Sequence, residues 1–320
     1  MVTMTDTVVV TGGAGFIGGH VVELLLQKNY HVIVIDIQHP CTSYFFLNRL
    51  DQKVDYRIVD IRNKKQVDAF FNLVHPAYVI HLAAQPIVQE AYDHPYEAFE
   101  TNIMGTVNIL EACRKQPGIK GIIVASSDKA YGKTKKTYTE KSPLQGDHPY
   151  DVSKSCEDLI AYTYFKTYDL PVVVTRFGNV YGEGDMHFDR IVPGICQAVI
   201  KNETLPIRSD GTYIRDYLYV KDVAKGYLLL MEKCGDKKAN IKGEAYNFSS
   251  KDNLSVLTMI QKAQKSLKQR IPYDILNIAQ NEIPYQHLSD QKIRTLGWKN
   301  SVRYIDILPS VIHWYKNVVK

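Results

Sequence analysis

Two short stretches of the chain carry residue types that can move protons. Ala125-Ser126-Ser127-Asp128-Lys129-Ala130-Tyr131-Gly132 sets a hydroxyl, a carboxylate and an ammonium side by side at the end of an apolar run. Pro149-Tyr150-Asp151-Val152-Ser153-Lys154 sets a tyrosine and a lysine one turn apart behind a proline suited to a helix start. Residues at i and i+4 share a helix face, so the Lys154 ammonium can favour a Tyr150 phenolate. A tyrosine ionises near pH 10. One positive charge at ~4 Å, in an effective dielectric of about 20, contributes at most roughly 4 kcal/mol, or about three pKa units. A tyrosine acting as base at neutral pH needs a shift of that size. The spacing recurs at Tyr131/Lys135, Tyr162/Lys166 and Tyr217/Lys221, but only Tyr150 combines the leading proline with a Ser-Asp-Lys strand end upstream.

These groups have to be held by a scaffold, and the hydropathy pattern describes one. Val8 to Thr11, Val32 to Asp36, Tyr56 to Val59, Tyr78 to Leu82, Ile122 to Ser126 and Val172 to Arg176 read as strands with amphipathic helices between most of them. Apolar strands alternating with helices predict an α/β chain, a Rossmann-type doubly wound parallel sheet covered on both faces. Beyond Arg176 the rhythm breaks into glycine-rich loop, short strands and helices. The reading is a first domain over 1–177 and a smaller α/β lobe over 178–320, with a return to the first domain at about 216–235. A long helix is expected from Pro95 to Lys115, with Asn102 as a polar residue in its apolar stripe.

The first crossing carries Gly12-Gly13-Ala14-Gly15-Phe16-Ile17-Gly18 directly between a strand and a helix. Glycines there let backbone approach a pyrophosphate, whose charge is favoured at a helix N-terminus. Asp36 ends the second strand where a carboxylate binds an adenosine ribose and repels a 2′-phosphate, so NAD is expected rather than NADP. The plainer alternative is a tight structural turn with a surface aspartate. Asp60-Ile61 closes the third strand; Asp60 either reaches the adenine amino group or caps the helix beginning near Asn63, and the sequence does not choose. His81-Leu82-Ala83-Ala84-Gln85 closes the fourth strand with small residues that admit a dinucleotide, and His81 itself reads as a satisfied buried histidine.

Composition narrows the partners. A net charge of +5 is mild, and the one basic run, Lys133-Thr134-Lys135-Lys136, reads as a solvated loop, so nucleic-acid binding is not expected. No window suits a signal peptide or a bilayer span, and membrane association is not expected. Five cysteines, odd in number and without a Cys-x-x-Cys pair, argue for reduced thiols in the cytoplasm and against a zinc site; no metal is expected.

Taken in order, Thr11-Gly12-Gly13-Ala14-Gly15-Phe16-Ile17-Gly18, His81-Leu82-Ala83-Ala84, Asn102, Tyr150-x-x-x-Lys154, Asn179-Val180-Tyr181-Gly182 and Arg215-Asp216 resemble the extended short-chain dehydrogenase/reductase family. The resemblance covers nearly the whole chain. It implies an enzyme acting on a nucleotide-diphosphate sugar with bound NAD. Cofactor contacts would come from Gly12, Gly15, Phe16, Ile17, Gly18, Asp36, Asp60, Ile61, Leu82, Ala83, Ala84, Asn102, Tyr150 and Lys154. Substrate contacts would come from Gln85, Asn179, Arg190 and Arg215. Ser127, Tyr150 and Lys154 would form the redox set. Relatives dimerise through helices equivalent to 95–115 and 150–168, so a homodimer is implied.

Within the family, Asp128-Lys129 looks like the 4,6-dehydratase pattern, in a variant seen in CDP-glucose 4,6-dehydratases and UDP-N-acetylglucosamine dehydratases. Gln85-Pro86-Ile87-Val88 through Asn108-Ile109-Leu110, and Gly178-Asn179-Val180 through Gly184-Asp185 with Asp189-Arg190, look most like the CDP-glucose group. By that resemblance Asp128 is the acid and Lys129, neutral when it acts, the base of a water elimination. The plainer reading of Asp128-Lys129 is a surface acid–base pair. Ser127 stands where many dehydratases carry threonine, and Ile214-Arg215-Asp216-Tyr217-Leu218-Tyr219-Val220 follows the general pattern rather than the CDP-glucose one. A 4-epimerase remains the alternative, and a non-catalytic NAD-binding regulator a remote one.

Overall fold

The computed structural model describes residues 6–37, 41–134, 136–250, 252–278 and 283–319; Lys135 and the extreme N-terminus lie outside them. The first part of the chain runs β1 (Thr7–Thr11), α1 (Phe16–Gln27), β2 (His31–Asp36), α2 (Tyr44–Leu47), β3 (Asp55–Ile58), α3 (Lys64–Val74), β4 (Tyr78–His81), α4 (Val88–Asp93), α5 (Pro95–Phe99), α6 (Gly105–Arg114), β5 (Gly121–Ala125), α7 (Pro149–Tyr168) and β6 (Val172–Phe177). The second runs β7 (Asn179–Tyr181), α8 (Ile191–Lys201), β8 (Leu205–Ile207), β9 (Ile214–Tyr219), α9 (Val220–Gly235), β10 (Ala245–Phe248), β11 (Asn253–Ser255), α10 (Val256–Leu267), β12 (Tyr273–Ile275), α11 (Gln291–Thr295) and α12 (Tyr304–Val318).

Seven strands form one parallel sheet in the order β10-β6-β5-β4-β1-β2-β3. Successive residues of a strand point to opposite faces, and both faces here are apolar. Val8, Val10, Ile80, Ile123 and Val173 enter one core with Val21, Val22 and Leu25 of α1 and Val223, Leu230 and Met231 of α9. Val9, Ile35, Val79, Ile122, Val124 and Val172 enter the other with Phe71 of α3 and Ile109 and Cys113 of α6. This explains why the strands read as continuous apolar runs. The order reverses beside β1, between β2 and β4, and the C-terminal strand ends at that point face the loops that carry the candidate residues.

The remaining elements build a lobe with its own core, in which Tyr181, Ile195, Met259, Tyr304, Leu308 and Tyr315 are buried together. Its strands β11-β9-β7 form one small sheet and β12-β8 another. The return to the first unit is longer than 216–235. Helix α9 packs on α1, and β10 then extends the sheet beyond β6. β10 is only four residues long and carries buried Asn247, so no apolar run announces it.

The expected helix from Pro95 to Lys115 is also interrupted. Between α5 and α6 the turn Glu100–Met104 winds with the wider π spacing. Such insertions turn a side chain inward at a site's edge, and here the inward residue is Asn102, fully buried.

One buried ion pair ties the frame together. Arg176 of β6 donates from Nε and Nη2 to the two carboxylate oxygens of Asp158 on α7, both at 2.7 Å. Its Nη1 donates to the Tyr131 hydroxyl at 2.6 Å, and Tyr131 donates to Asn247 of β10 at 2.7 Å. Sheet, helix and catalytic-side turn therefore share one set of hydrogen bonds. Replacing Arg176 by Met strands a buried carboxylate, and urea unfolding of Arg176→Met is expected to show a loss of about 3–5 kcal/mol. The double variant Arg176→Met/Asp158→Leu is expected to recover much of it; equal loss in both would show that the pair does not carry the effect.

Candidate active site

Helix α7 positions most of the site, because it is buried on two sides by polar residues. Pro149 opens it, and Tyr150, Ser153, Lys154, Glu157 and Asp158 all turn inward. Strand β5 ends at Ala125, and Ser127 then caps a single tight turn, Asp128–Tyr131, by accepting from Lys129 N at 3.2 Å. Ser155 staples helix to turn, donating to Ala130 O at 2.8 Å. Both proton-handling stretches are thus fixed against each other. The Ser127 hydroxyl also acts on the Tyr150 phenol, in the direction that favours its ionised form.

Lys154 is 3% exposed. Its ammonium donates to Ala125 O at 2.8 Å and to Glu157 Oε2 at 2.6 Å. Burial works against that charge, but the Glu157 carboxylate and then Tyr150 outweigh it, so the Lys154 pKa is raised. Burial pushes the Tyr150 phenol up, with Lys154 opposing. The lysine therefore does act on the phenol, but as half of an ion pair.

Glu157 extends inward. Its Oε1 accepts from Thr106 at 3.3 Å, and Thr106 also donates to Asn102 O at 2.7 Å. The single Thr106 proton goes to these acceptors, so Thr106 must accept from His81 Nε2, at 3.0 Å. His81 Nδ1 then accepts from Thr11 at 2.7 Å, and Thr11 accepts from Ala83 N at 3.1 Å. Burial, with the Lys154 charge, holds His81 neutral by lowering its pKa to about 3. His81 is a satisfied buried histidine, as the sequence suggests.

Asp128 is 5% exposed. It accepts from the Ser127 hydroxyl at 3.2 Å. Burial, opposed by Lys129 and Arg215, pushes its pKa up to about 6. A carboxyl in that range exchanges its proton much closer to neutrality than an ordinary carboxylate does. Half-buried Lys129 faces Asp128, Asp151 and His148, and burial pushes Asp151 up to about 6 as well. Asp128-Lys129 is therefore not a surface pair. The lobe closes over this corner at Gly178, where a Cβ would stand 2.9 Å from Asp216 Cβ and 3.6 Å from Asp128 Oδ2. Asp216 is pinned by Leu288 N at 2.7 Å and by His287 at 3.0 Å. Beside it Arg215 is buried, donates to Ile214 O at 2.9 Å and lies over the Tyr213 ring.

The glycine turn meets the needs of a dinucleotide. Gly12 has φ +69°, and a Cβ there would lie 2.6 Å from Ala83 N. A Cβ on Gly18 would collide with Gly12 O. Gly15 caps α1 with no side-chain hydrogen bond, and the first turn, Phe16-Ile17-Gly18, has no acidic residue, so its backbone N–H groups face an anion-ready opening. Asp36 ends β2 nearly buried and accepts from Ala14 N and Ile37 N at 2.9 and 2.8 Å. Leu82, Ala83 and Ala84 follow β4 half-buried beside this turn. Gln85 Oε1 is buried with no hydrogen-bond partner among the described residues.

The other expected contacts have these surroundings. Asn102 accepts from Gln85 N at 2.7 Å and donates to Gln85 O and Ser153 Oγ at 3.1 and 2.9 Å, so its amide braces the Gln85 loop against α7. Asp60 does not cap α3; Asn63 does, accepting from Lys65 N and Gln66 N. Asp60 instead pairs with Arg62 at 2.7 Å. Ile61 is a core residue against Gly105. Arg190 pairs with buried Asp185 at 3.2 Å, and Asn179 stands exposed at the start of β7. Sequence reasoning missed Glu157, Thr106 and the Asp158–Arg176 pair. The available signal was two consecutive acids three and four places after Lys154.

A model of the NAD dependent epimerase/dehydratase family matches residues 8–248. A trifunctional UDP-glucose 4,6-dehydratase/UDP-4-keto-6-deoxy-D-glucose 3,5-epimerase/UDP-4-keto-L-rhamnose-reductase of Arabidopsis thaliana is 29% identical over 320 residues, covering 96% of this chain and 47% of that protein. The chain thus spans about half the length of that relative. Among solved structures, the UDP-glucose 4-epimerase of Thermotoga maritima with UDP-glucose matches at TM-score 0.87 and 28% identity, over 98% of this chain and 100% of that one. The dTDP-glucose 4,6-dehydratase DesIV of Streptomyces venezuelae, with NAD and TYD bound, matches at TM-score 0.85 and 27% identity, over 97% of each.

The raised Asp128 pKa carries a stability signature. A carboxyl near 3.8 when unfolded and near 6 when folded binds its proton more tightly in the native state, so stability falls as pH rises between those values. The cost above pH 6 is about 3 kcal/mol. Asp128→Asn is therefore expected to unfold at higher temperature than the parent at pH 8, with the difference vanishing towards pH 4. A difference that does not grow with pH would contradict the assignment.

Proposed function

Because the chain belongs to the NAD dependent epimerase/dehydratase family, we propose that it is an NAD-dependent nucleotide-sugar 4,6-dehydratase, a hydro-lyase. Its substrate on this reading is CDP-glucose or another nucleoside-diphosphate glucose or N-acetylglucosamine, and its product the 4-keto-6-deoxy sugar. The observation that carries the reading is Asp128, a buried carboxyl pushed up to about 6 and hydrogen-bonded to Ser127. NAD, when bound, would supply the redox chemistry, as a hydride acceptor towards the sugar C4 and a hydride donor towards C6. The residues around it handle the protons.

In this reading Tyr150 takes the proton from O4, Ser127 holds that oxygen, and Lys154 biases the phenol and binds the nicotinamide ribose. Oxidation at C4 acidifies the C5 proton, which Lys129 removes while Asp128 protonates the departing C6 hydroxyl; as C6 is reduced, Lys129 returns a proton to C5. Arg215 clamps the diphosphate, with Asn179, Gln85 and Arg190 as further contacts. Gly12, Gly15 and the first turn of α1 receive the pyrophosphate, and Asp36 the adenosine ribose. Asn102 acts through Gln85.

The alternative is a nucleotide-sugar 4-epimerase, which needs only Ser127, Tyr150 and Lys154, and solved epimerases are as similar as solved dehydratases. We also propose a homodimer. Tyr96 before the π-wound turn, Met104 within it, and Leu159 and Tyr162 on α7 are exposed apolar residues on the helices concerned. A cytoplasmic setting fits five free cysteines; among the described residues no helix is long and apolar enough to cross a membrane.

The test is incubation with CDP-, UDP-, dTDP- and GDP-linked glucose, N-acetylglucosamine and mannose, reading product mass for loss of one water. Solvent deuterium at C5 supports dehydration, whereas C4 inversion without label supports epimerisation. Asp128→Asn is expected to keep C4 oxidation and lose water elimination by about 10²–10⁴-fold. Full dehydration by that variant would remove Asp128 from the mechanism.

A further inference from the structure

Lys154 does not meet Tyr150 as a free cation. Its ammonium is shared between Ala125 O and the Glu157 carboxylate, the ion-pair partners being 4% and 1% exposed. The other Glu157 oxygen is held by Thr106, whose own geometry is fixed by His81 and Asn102. The carboxylate thus has one orientation, set from β1, β4 and α6 as well as from its own helix.

We propose that Glu157 is a positioning residue for the Tyr150/Lys154 pair: its carboxylate anchors the lysine against the end of β5 and offsets the charge with which the lysine favours the phenolate. Burial pushes the Glu157 pKa up and Lys154 opposes it; with the two ionised as a pair, the unit of Tyr150, Lys154 and Glu157 carries no net charge while the phenol is protonated, and ionising the phenol creates a buried negative charge. Without Glu157 the same step takes the unit from one positive charge to none. The first proton therefore leaves the Tyr150/Lys154 pair more readily in the absence of Glu157, whichever of the two groups is assigned that proton. The device sets the pH at which the base is ready and prevents a buried, uncompensated ammonium.

The titratable groups facing the unit are Asp158 on the same helix, Asp128 from the turn after β5, His81 from the end of β4 and Tyr227 from α9. His81 is held neutral and Asp158 is engaged by Arg176. Glu157 is the acid in ion-pair contact with Lys154.

The inference rests on Tyr150 and Lys154 being the redox pair, and its test needs no sugar nucleotide. The phenolate absorbance of the full chain with NAD is titrated against pH, and the curve of the matching Tyr150→Phe variant is subtracted to isolate one of 22 tyrosines. Glu157→Gln is expected to lower the Tyr150 midpoint by about one pH unit or more. Glu157→Asp, which keeps the charge, is expected to leave it close to the parent. A midpoint that stays or rises in Glu157→Gln, or that falls equally in Glu157→Asp, overturns the proposal. Should the glutamine variant not fold, the thermal unfolding of Lys154→Met and Lys154→Met/Glu157→Leu decides. The double variant is expected to melt several degrees higher, since the single one strands a buried carboxylate; no difference overturns the pairing. If Tyr150→Phe retains full turnover on the substrate panel, the functional reading fails instead, and that result is distinct from either outcome here.

Discussion

Charge that is kept from water must be matched at contact distance, and the C-terminal end of this sheet is built around that requirement. Helix α7 carries two consecutive acids, Glu157 and Asp158, both buried. Their side chains diverge around the helix, so one acid meets Lys154 and the other meets Arg176. The first pair lies beside Tyr150, and the second joins α7 to β6. Because the two share a backbone, the position of Tyr150 relative to Ser127 is tied to the position of β6 relative to α7. Arg176 then reaches Tyr131 at the end of the turn that holds Asp128, so the same guanidinium constrains both halves of the site.

The parts of this arrangement legible in the sequence are those with local periodicity. The alternation of apolar runs and amphipathic helices fixes a parallel sheet because no other common layout buries both faces of so many strands. Gly12 and Gly18 are legible because only a residue without Cβ tolerates those approaches. What stayed hidden depends on neighbours distant in sequence. Asn63 rather than Asp60 caps α3 because its carbonyl oxygen reaches two amides, a matter of backbone angle that Asp60, turned to Arg62, does not meet. Strand β10 is short and polar at Asn247, and its partners at Tyr131 and Tyr138 come from more than a hundred residues earlier. Glu157 reads as an ordinary exposed helix acid until the helix is seen to be buried on that side.

The same distinction separates what the fold shares from what it specialises. The chain from Thr11 through His81, Thr106 and Glu157 to Lys154 links the dinucleotide turn to the candidate base entirely through β1, β4, α6 and α7. None of its members belongs to the lobe. The turn after β5 lies outside that chain. Asp128 faces the lobe instead, near Arg215 and Asp216, and Gly178 lets the two approach. A fold common to epimerases and dehydratases can therefore keep its redox frame while the turn and the lobe vary.

That division has an energetic side. The buried charges of Lys154 and Glu157, and of Arg176 and Asp158, are matched at contact distance, which offsets part of the cost of burying them. Asp128 and Asp151 have no such contact partner; each is raised by burial, which Lys129 and Arg215 only partly oppose at Asp128 and Lys129 and Lys133 only partly oppose at Asp151. An acid left under-compensated destabilises the folded state above its own pKa, and it is the same under-compensation that keeps a proton available near neutrality. The instability is tolerable because it is confined to a turn whose ends are held by Ser155 and by Arg176 through Tyr131. A fully paired Asp128 would steady the turn and leave it with no proton to give.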